Sequence, residues 1–150
     1  MNIDYIDEII DIETDKFCLY GTYKTANLWL QNGVTVYQYI LTYEGHFSDS
    51  INNGLPLMGV AHGDDLLYVW NYSNTEIYGD DIIVQNIMTT AWSNFAIYGD
   101  PTPPGMSDLS WVPLQDVSDF KFWNISGSNP TMDHSDYIQS RMEFWKQTIG

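Results

Sequence analysis

The feature that most limits what this chain can become is the run Val34 to Tyr43, VTVYQYILTY. It is β-branched and aromatic, and it is apolar on both faces. A strand with one wet face alternates apolar and polar residues, whereas a strand covered on both sides does not. The run therefore reads as an interior strand of a covered sheet. A lone buried strand cannot satisfy its own backbone N–H and C=O groups. Its neighbours must come from elsewhere in the chain or from outside it. No second stretch is as convincing, and one strand is too little sheet for a self-contained α/β domain of 150 residues.

Helical periodicity surrounds the strand. From about Thr14 to Gln31, Leu19, Tyr23, Ala26 and Leu30 recur at spacings that line one helix face. Asn32-Gly33 supplies the stop, since both residues tolerate a left-handed conformation. A polar loop with Gly45, Asn52-Asn53-Gly54 and Pro56 as breakers runs from Glu44 to Leu57. GVAHGDDLLYVW follows. Its Asp64-Asp65 pair suits a helix N-terminus, so a short helix is the reading preferred to a short strand over Leu66 to Trp70. Asp80 to Tyr98 is the clearest helix. Val84, Met88, Ala91 and Phe95 form its stripe, Ile87 and Trp92 widen it, and Gly99 followed by Pro101 closes it. Trp111 to Trp123 reads as irregular. Ser135 can cap a last helix lined by Ile138, Met142, Trp145 and Ile149.

Charge removes whole classes of function. Lys plus Arg number 5 against 20 Asp plus Glu, for a net charge of -15. Such a chain has too few cations to grip a nucleic-acid backbone or an anionic membrane surface. Hydrophobic residues make up 44% of the sequence, enough for a core. No apolar run approaches the ~18 residues of a membrane span. The acidic N-terminus, MNIDYIDEIIDIETD, lacks the basic start of a signal peptide and reads as a solvated face. Cys18 is the sole cysteine, which excludes an internal disulfide and a cysteine-cluster metal site. Sequons at Asn71 and Asn124 make both asparagines candidate N-glycan sites.

The chemistry has few carriers. The histidines are His46, His62 and His134. His62 and Asp64 offer two metal ligands but no third is placed, so neither metal nor cofactor is expected. There is no phosphate loop. Gly105-Met106-Ser107-Asp108-Leu109 lacks the final Gly of a nucleophile elbow and follows no strand. His46 reads as an exposed loop residue and His134 as the neighbour of a helix cap. His62 is the distinctive one. It sits in a loop after the best strand, where α/β sheets collect function. Gly59, Ala61 and Gly63 leave room for its imidazole. The reading from the residues stays open between a catalytic histidine and a hydrogen-bonded loop histidine.

The stretch GVAHGDDLLYVW, Gly59 to Trp70 with His62 in it, resembles the catalytic-histidine segment of type-B carboxylesterases, an α/β-hydrolase family. Asp15-x-x-Cys18 through Asn32-Gly33 and Val36-Tyr37-Gln38-Tyr39 resembles the helix and last sheet strand before that histidine. Trp92-Ser93-Asn94-Phe95-Ala96, followed by Gly99-Asp100-Pro101-Thr102-Pro103, is similar to the signature after it. Trp111-x-Pro113 and Arg141-Met142-Glu143-Phe144-Trp145 fit the last elements, and the insect branch, which includes juvenile-hormone esterases, fits best. The resemblance runs from about Tyr5 onward.

It implies an α/β fold: the C-terminal portion of an α/β-hydrolase, ordered as helix, buried strand, catalytic-His loop, long helix, irregular loop and terminal helix, with an incomplete sheet. Residues 1–150 would be the C-terminal part of one carboxylesterase domain. His62 would be the histidine of a Ser, Asp or Glu, His triad whose other members lie upstream. Asp64 and Asp65 would orient its loop. The implied activity is cofactor-free hydrolysis of a small-molecule carboxylic ester by a secreted, full-length form, with the isolated chain inactive. The alternatives are a non-catalytic adhesion or binding module of the same superfamily, or a non-functional gene fragment. Exposed strand edges would favour self-association. In several relatives a cysteine at the place of Cys18 pairs with one just before the terminal Phe-Trp. Here that place is Met142, which implies a small buried thiol at Cys18 and a close approach of the first and last helices.

Overall fold

The computed structural model describes residues 5–48, 54, 59–70, 76–106, 108–116 and 118–150. The sequon at 71–73, Ser107, and Asn52-Asn53 with Pro56 lie outside the described residues. Along the chain come α1 (Ile6–Thr14), a π-helical turn (Asp15–Leu19), α2 (Tyr20–Gln31), β1 (Tyr39–Leu41), α3 (Asp64–Trp70), α4 (Asp80–Tyr98), β2 (Lys121–Ile125), β3 (Thr131–His134) and α5 (Asp136–Ile149). They group into two compact units. The first holds Met1–Gln38, Pro113–Phe122 and Asp133–Gly150, and the second Tyr39–Val112 and Trp123–Met132.

In the first unit the helix starts earlier than expected. The acidic run is helical from Ile6, and its Ile6, Ile9, Ile10 and Ile12 are exposed. Tyr20, Tyr23 and Ala26 form the buried face of α2, and Ala26 packs with Val36 and Leu114. Gly33 ends α2 at φ +74°, a conformation that costs glycine little. The Ser135 cap of α5 is as expected, with its hydroxyl accepting from the Ile138 amide at 3.2 Å. Only Met142 of the expected α5 stripe is fully buried, while Ile149 is exposed. Asp15, in the π turn, is buried. Arg141 donates Nε to Asp15 Oδ2 at 2.8 Å and pairs through Nη1 with Asp11 at 2.8 Å. Trp145 Nε1 donates to the same Asp15 oxygen at 2.9 Å. Arg141 of α5 thus reaches two carboxylates, Asp11 of α1 and Asp15 of the π turn, and Trp145 adds a second bond to Asp15.

The expected strand of residues 34–43 is shorter in the structure. Val34 is exposed, and the Val36 carbonyl accepts from the Leu114 amide at 2.8 Å rather than joining a ladder. Regular pairing covers Tyr39 to Leu41, which run parallel to β2 with Tyr39 opposite Trp123, Ile40 opposite Asn124 and Leu41 opposite Ile125. The sheet order is β1-β2-β3, so β1 has one edge without a partner among the described residues. β2 and β3 fall where no strand was expected, β2 at the end of the segment read as irregular. Phe122, Trp123 and Ile125 are nevertheless buried, and the strand is short enough for flanking turn residues to hide it. In the second unit α4 has the predicted bounds. Val84, Met88 and Ala91 are buried as expected, but Phe95 is about half exposed, so the stripe ends one turn early. Residues 64–70 are helical, as preferred.

Candidate active site

The second unit carries the segment leaving β1 and the His62 turn. Phe47 and Ser48 are buried on the way out of the strand. His62 itself is exposed and occupies the turn that opens α3. Gly63 after it takes φ +91°, a value that side-chain-bearing residues resist. The next two residues anchor the turn. Asp64 is only 3% exposed, and its Oδ2 accepts from the Ala61 amide at 2.9 Å and from the Ser48 hydroxyl at 3.0 Å. The Asp64 amide donates back to the Ala61 carbonyl at 3.1 Å. Asp65 accepts the Tyr39 hydroxyl at 2.6 Å. Burial and that bond push the Tyr39 hydroxyl far above its ordinary pKa, so it stays a proton donor to Asp65. Tyr39 lies on β1, which ties α3 to the strand.

An aromatic cluster holds Tyr39 in turn. Its ring meets Trp92 edge-on at 4.8 Å and Trp111 at 5.9 Å, and Trp111 stacks on Trp123 at 4.7 Å. A second cluster fixes the loop between β1 and Ser48. Tyr68 of α3 donates to the buried Asp81 at 2.9 Å, and a Cβ at Gly45 would collide with both side chains. Tyr68 is held protonated by burial and by Asp81, while Tyr43 beside Asp81 is pushed up to about 12, mainly by burial.

The other histidines have different surroundings. His46 is mostly exposed, with Nδ1 3.9 Å from Asp81 Oδ2. His134, in the first unit, lies 3.9 Å from Asp136. Among the described residues no three His, Cys, Asp or Glu side chains are grouped to hold a metal, and no helix is long and apolar enough to cross a membrane. A cavity of about 310 Å³ lies beside α4, lined by Ile87, Ala91, Asn94, Pro101 and Trp123 among others, without an ionisable residue. The sequence pointed to His62, Asp64 and Asp65. It gave no signal for Ser48 or Tyr39, whose pairings span 16 and 26 residues.

Comparison with known proteins places the chain. The pattern of the Carboxylesterase family matches residues 2–145. Juvenile hormone esterase of Tribolium castaneum is 29% identical over 168 residues, which cover 96% of this chain and 28% of that protein. Esterase cest-33 of Caenorhabditis elegans is 28% identical over 141 residues, covering 91% of this chain and 25% of its own. The chain thus spans about a quarter of the length of the curated relatives it matches. Among solved structures, juvenile hormone esterase from Manduca sexta, with OTFP covalently attached, aligns with a TM-score of 0.78 at 21% identity over 96% of this chain and 28% of its own. Carboxylesterase EST55 of Geobacillus stearothermophilus aligns with a TM-score of 0.66 at 20% identity, covering 90% of this chain and 26% of its own. On the match across nearly all of its length, the chain belongs to the carboxylesterase family and carries a segment of the α/β-hydrolase fold of type-B carboxylesterases.

Proposed function

We propose that this chain supplies the catalytic histidine, His62, of a serine hydrolase acting on small-molecule carboxylic esters. One observation carries the reading: an exposed imidazole on a turn whose next residue but one is a buried, doubly hydrogen-bonded carboxylate, in a chain matched by the family almost throughout. His62 takes the proton of a serine hydroxyl as that oxygen attacks the ester carbonyl, then returns it to the leaving alcohol. A second cycle with water in place of serine releases the acid. The serine, the acidic partner and the oxyanion hole belong to the remaining part of the enzyme, so the chain alone is inactive. No cofactor takes part. Secretion of the whole enzyme goes with this reading, as do N-glycans at Asn71 and Asn124; Asn124 lies on β2, half-buried. The β1 edge that has no partner among the described residues and the exposed Ile6, Ile9, Ile10 and Phe17 favour self-association of the chain by itself.

The test is a hybrid in which this chain replaces the matching stretch of the Tribolium juvenile hormone esterase. The hybrid is expected to hydrolyse p-nitrophenyl acetate, and His62→Gln to cut kcat by on the order of 10⁴-fold or more, the scale of losing a triad member. The chain alone is expected to show no hydrolysis above its own His62→Ala variant. A folded hybrid with no activity would favour the non-catalytic reading. Activity that survives His62→Gln would assign the base elsewhere.

A further inference from the structure

We propose that Asp64 is a positioning residue for His62, acting through the one oxygen that both the Ala61 amide and the Ser48 hydroxyl reach. This rests on the catalytic reading of His62. Residues 61 and 64 clasp each other twice: the Ala61 amide donates to Asp64 Oδ2 at 2.9 Å, and the Asp64 amide donates to the Ala61 carbonyl at 3.1 Å. His62 and Gly63 are the two residues enclosed by that clasp. The backbone that aims the imidazole is therefore set by the Asp64 side chain as well as by the start of α3.

Burial separates Asp64 from an ordinary acidic residue in a first helical turn. Such residues usually sit in water and interact weakly with the helix dipole. Asp64 is 3% exposed, and the Ser48 that meets it is 2% exposed. A carboxylate withdrawn from water is costly unless hydrogen bonds replace the lost solvation. Here the replacements come from the residue before His62 and from the segment leaving β1. The second bond ties the turn to the body of the unit, and Asp65, bonded to Tyr39 at 2.6 Å, adds another tie to β1. A general base must lie within hydrogen-bond reach of the proton it takes. A displacement of about 1 Å can cost on the order of 10²-fold in rate.

The hybrid enzyme tests this with Asp64→Ala, Asp64→Asn and Ser48→Ala beside His62→Gln. Asp64→Ala is expected to lower kcat by roughly 10²-fold while KM stays within about twofold, because the substrate pocket is untouched. Asp64→Asn is expected to recover most of that loss, since its amide oxygen can accept both bonds. Ser48→Ala is expected to fall between parent and Asp64→Ala, and it carries the test if Asp64→Ala does not fold. Parent kcat in both Asp64→Ala and Ser48→Ala, or an Asp64→Asn enzyme as slow as Asp64→Ala, would overturn the proposal even if His62→Gln is dead. Full activity in His62→Gln would instead remove the catalytic reading on which it rests.

Discussion

A buried aspartate is informative wherever it occurs in so acidic a chain, because most of its 20 acidic residues have water available. Asp15 is 3% exposed and takes bonds from Arg141 and Trp145, two of the residues in the terminal Arg-Met-Glu-Phe-Trp run. Removing the cation strands a buried charge, which typically costs about 3–5 kcal/mol. Arg141→Met is therefore expected to lower the unfolding free energy by an amount in that range, read as a lower urea midpoint. Adding Asp15→Leu should restore much of the loss, because an apolar pair replaces an ionic one without an orphan charge. Tyrosines give a second prediction at this scale. Tyr23 and Tyr43 are each raised from 10.0 to about 12, chiefly by burial, with Glu143 and Asp81 respectively adding to the effect. The unfolded chain loses these protons near pH 10 and the folded chain only near pH 12. Their contribution to stability is thus complete below pH 10 and declines as the pH rises from about 10 to about 12. A falling melting temperature over that interval, with phenolate absorbance delayed until the melt, is the expected observation. Tyr23→Phe should flatten part of the decline.

Elements were legible where one residue pattern decided the outcome. α4 shows its period, its acidic start and its glycine stop together, and the structure has the predicted bounds. The cap of α5 follows from Ser135 alone. Pattern failed where pairing decided. Residues 34–38 have the composition of a strand, yet Val36 bonds to Leu114 in a connecting segment, and regular pairing begins only at Tyr39, opposite Trp123. β2 owes its strand character to β1, and neither Lys121 nor Asn124 looks like a sheet residue in isolation. The acidic N-terminus reads as a solvated face, and Asp7, Glu8 and Glu13 are exposed, but the run is helical from Ile6 and its last residue, Asp15, is buried against Arg141 and Trp145. The same limit applied at the site. His62 and its two aspartates stand together in the sequence, while Ser48 and Tyr39 become their partners only once β1 and α3 are packed.

At the scale of the molecule, the chain covers about a quarter of its curated relatives, yet the first unit joins its first and last helices into one packed body. Arg141 and Trp145 bond Asp15, Glu143 accepts the Tyr23 hydroxyl at 3.0 Å, and Met142 between them is wholly buried. Cys18 follows Asp15 by three residues inside the π turn, as a partly buried thiol. A π turn accommodates one extra residue in the helix, which changes the face that each side chain presents. The contacts at Asp15 and Tyr23 bracket Cys18 along the first helical stretch, just as those at Arg141 and Glu143 bracket Met142 along the last. Met142→Cys is therefore expected to form an intrachain bridge with Cys18 under oxidising conditions. The bridge needs Cα atoms about 4.4–6.8 Å apart. Because it would close most of the chain, the chain-entropy account gives it roughly 4–5 kcal/mol if unstrained. The checks are a thiol count, a non-reducing gel and the melting temperature with and without reductant. Loss of both thiols with a monomer band and a higher melting temperature is the expected result. Two free thiols in a folded variant would mean that the π turn carries Cys18 away from the face that meets α5, and that the ion pair at Asp15 joins these helices without a covalent bond being within reach.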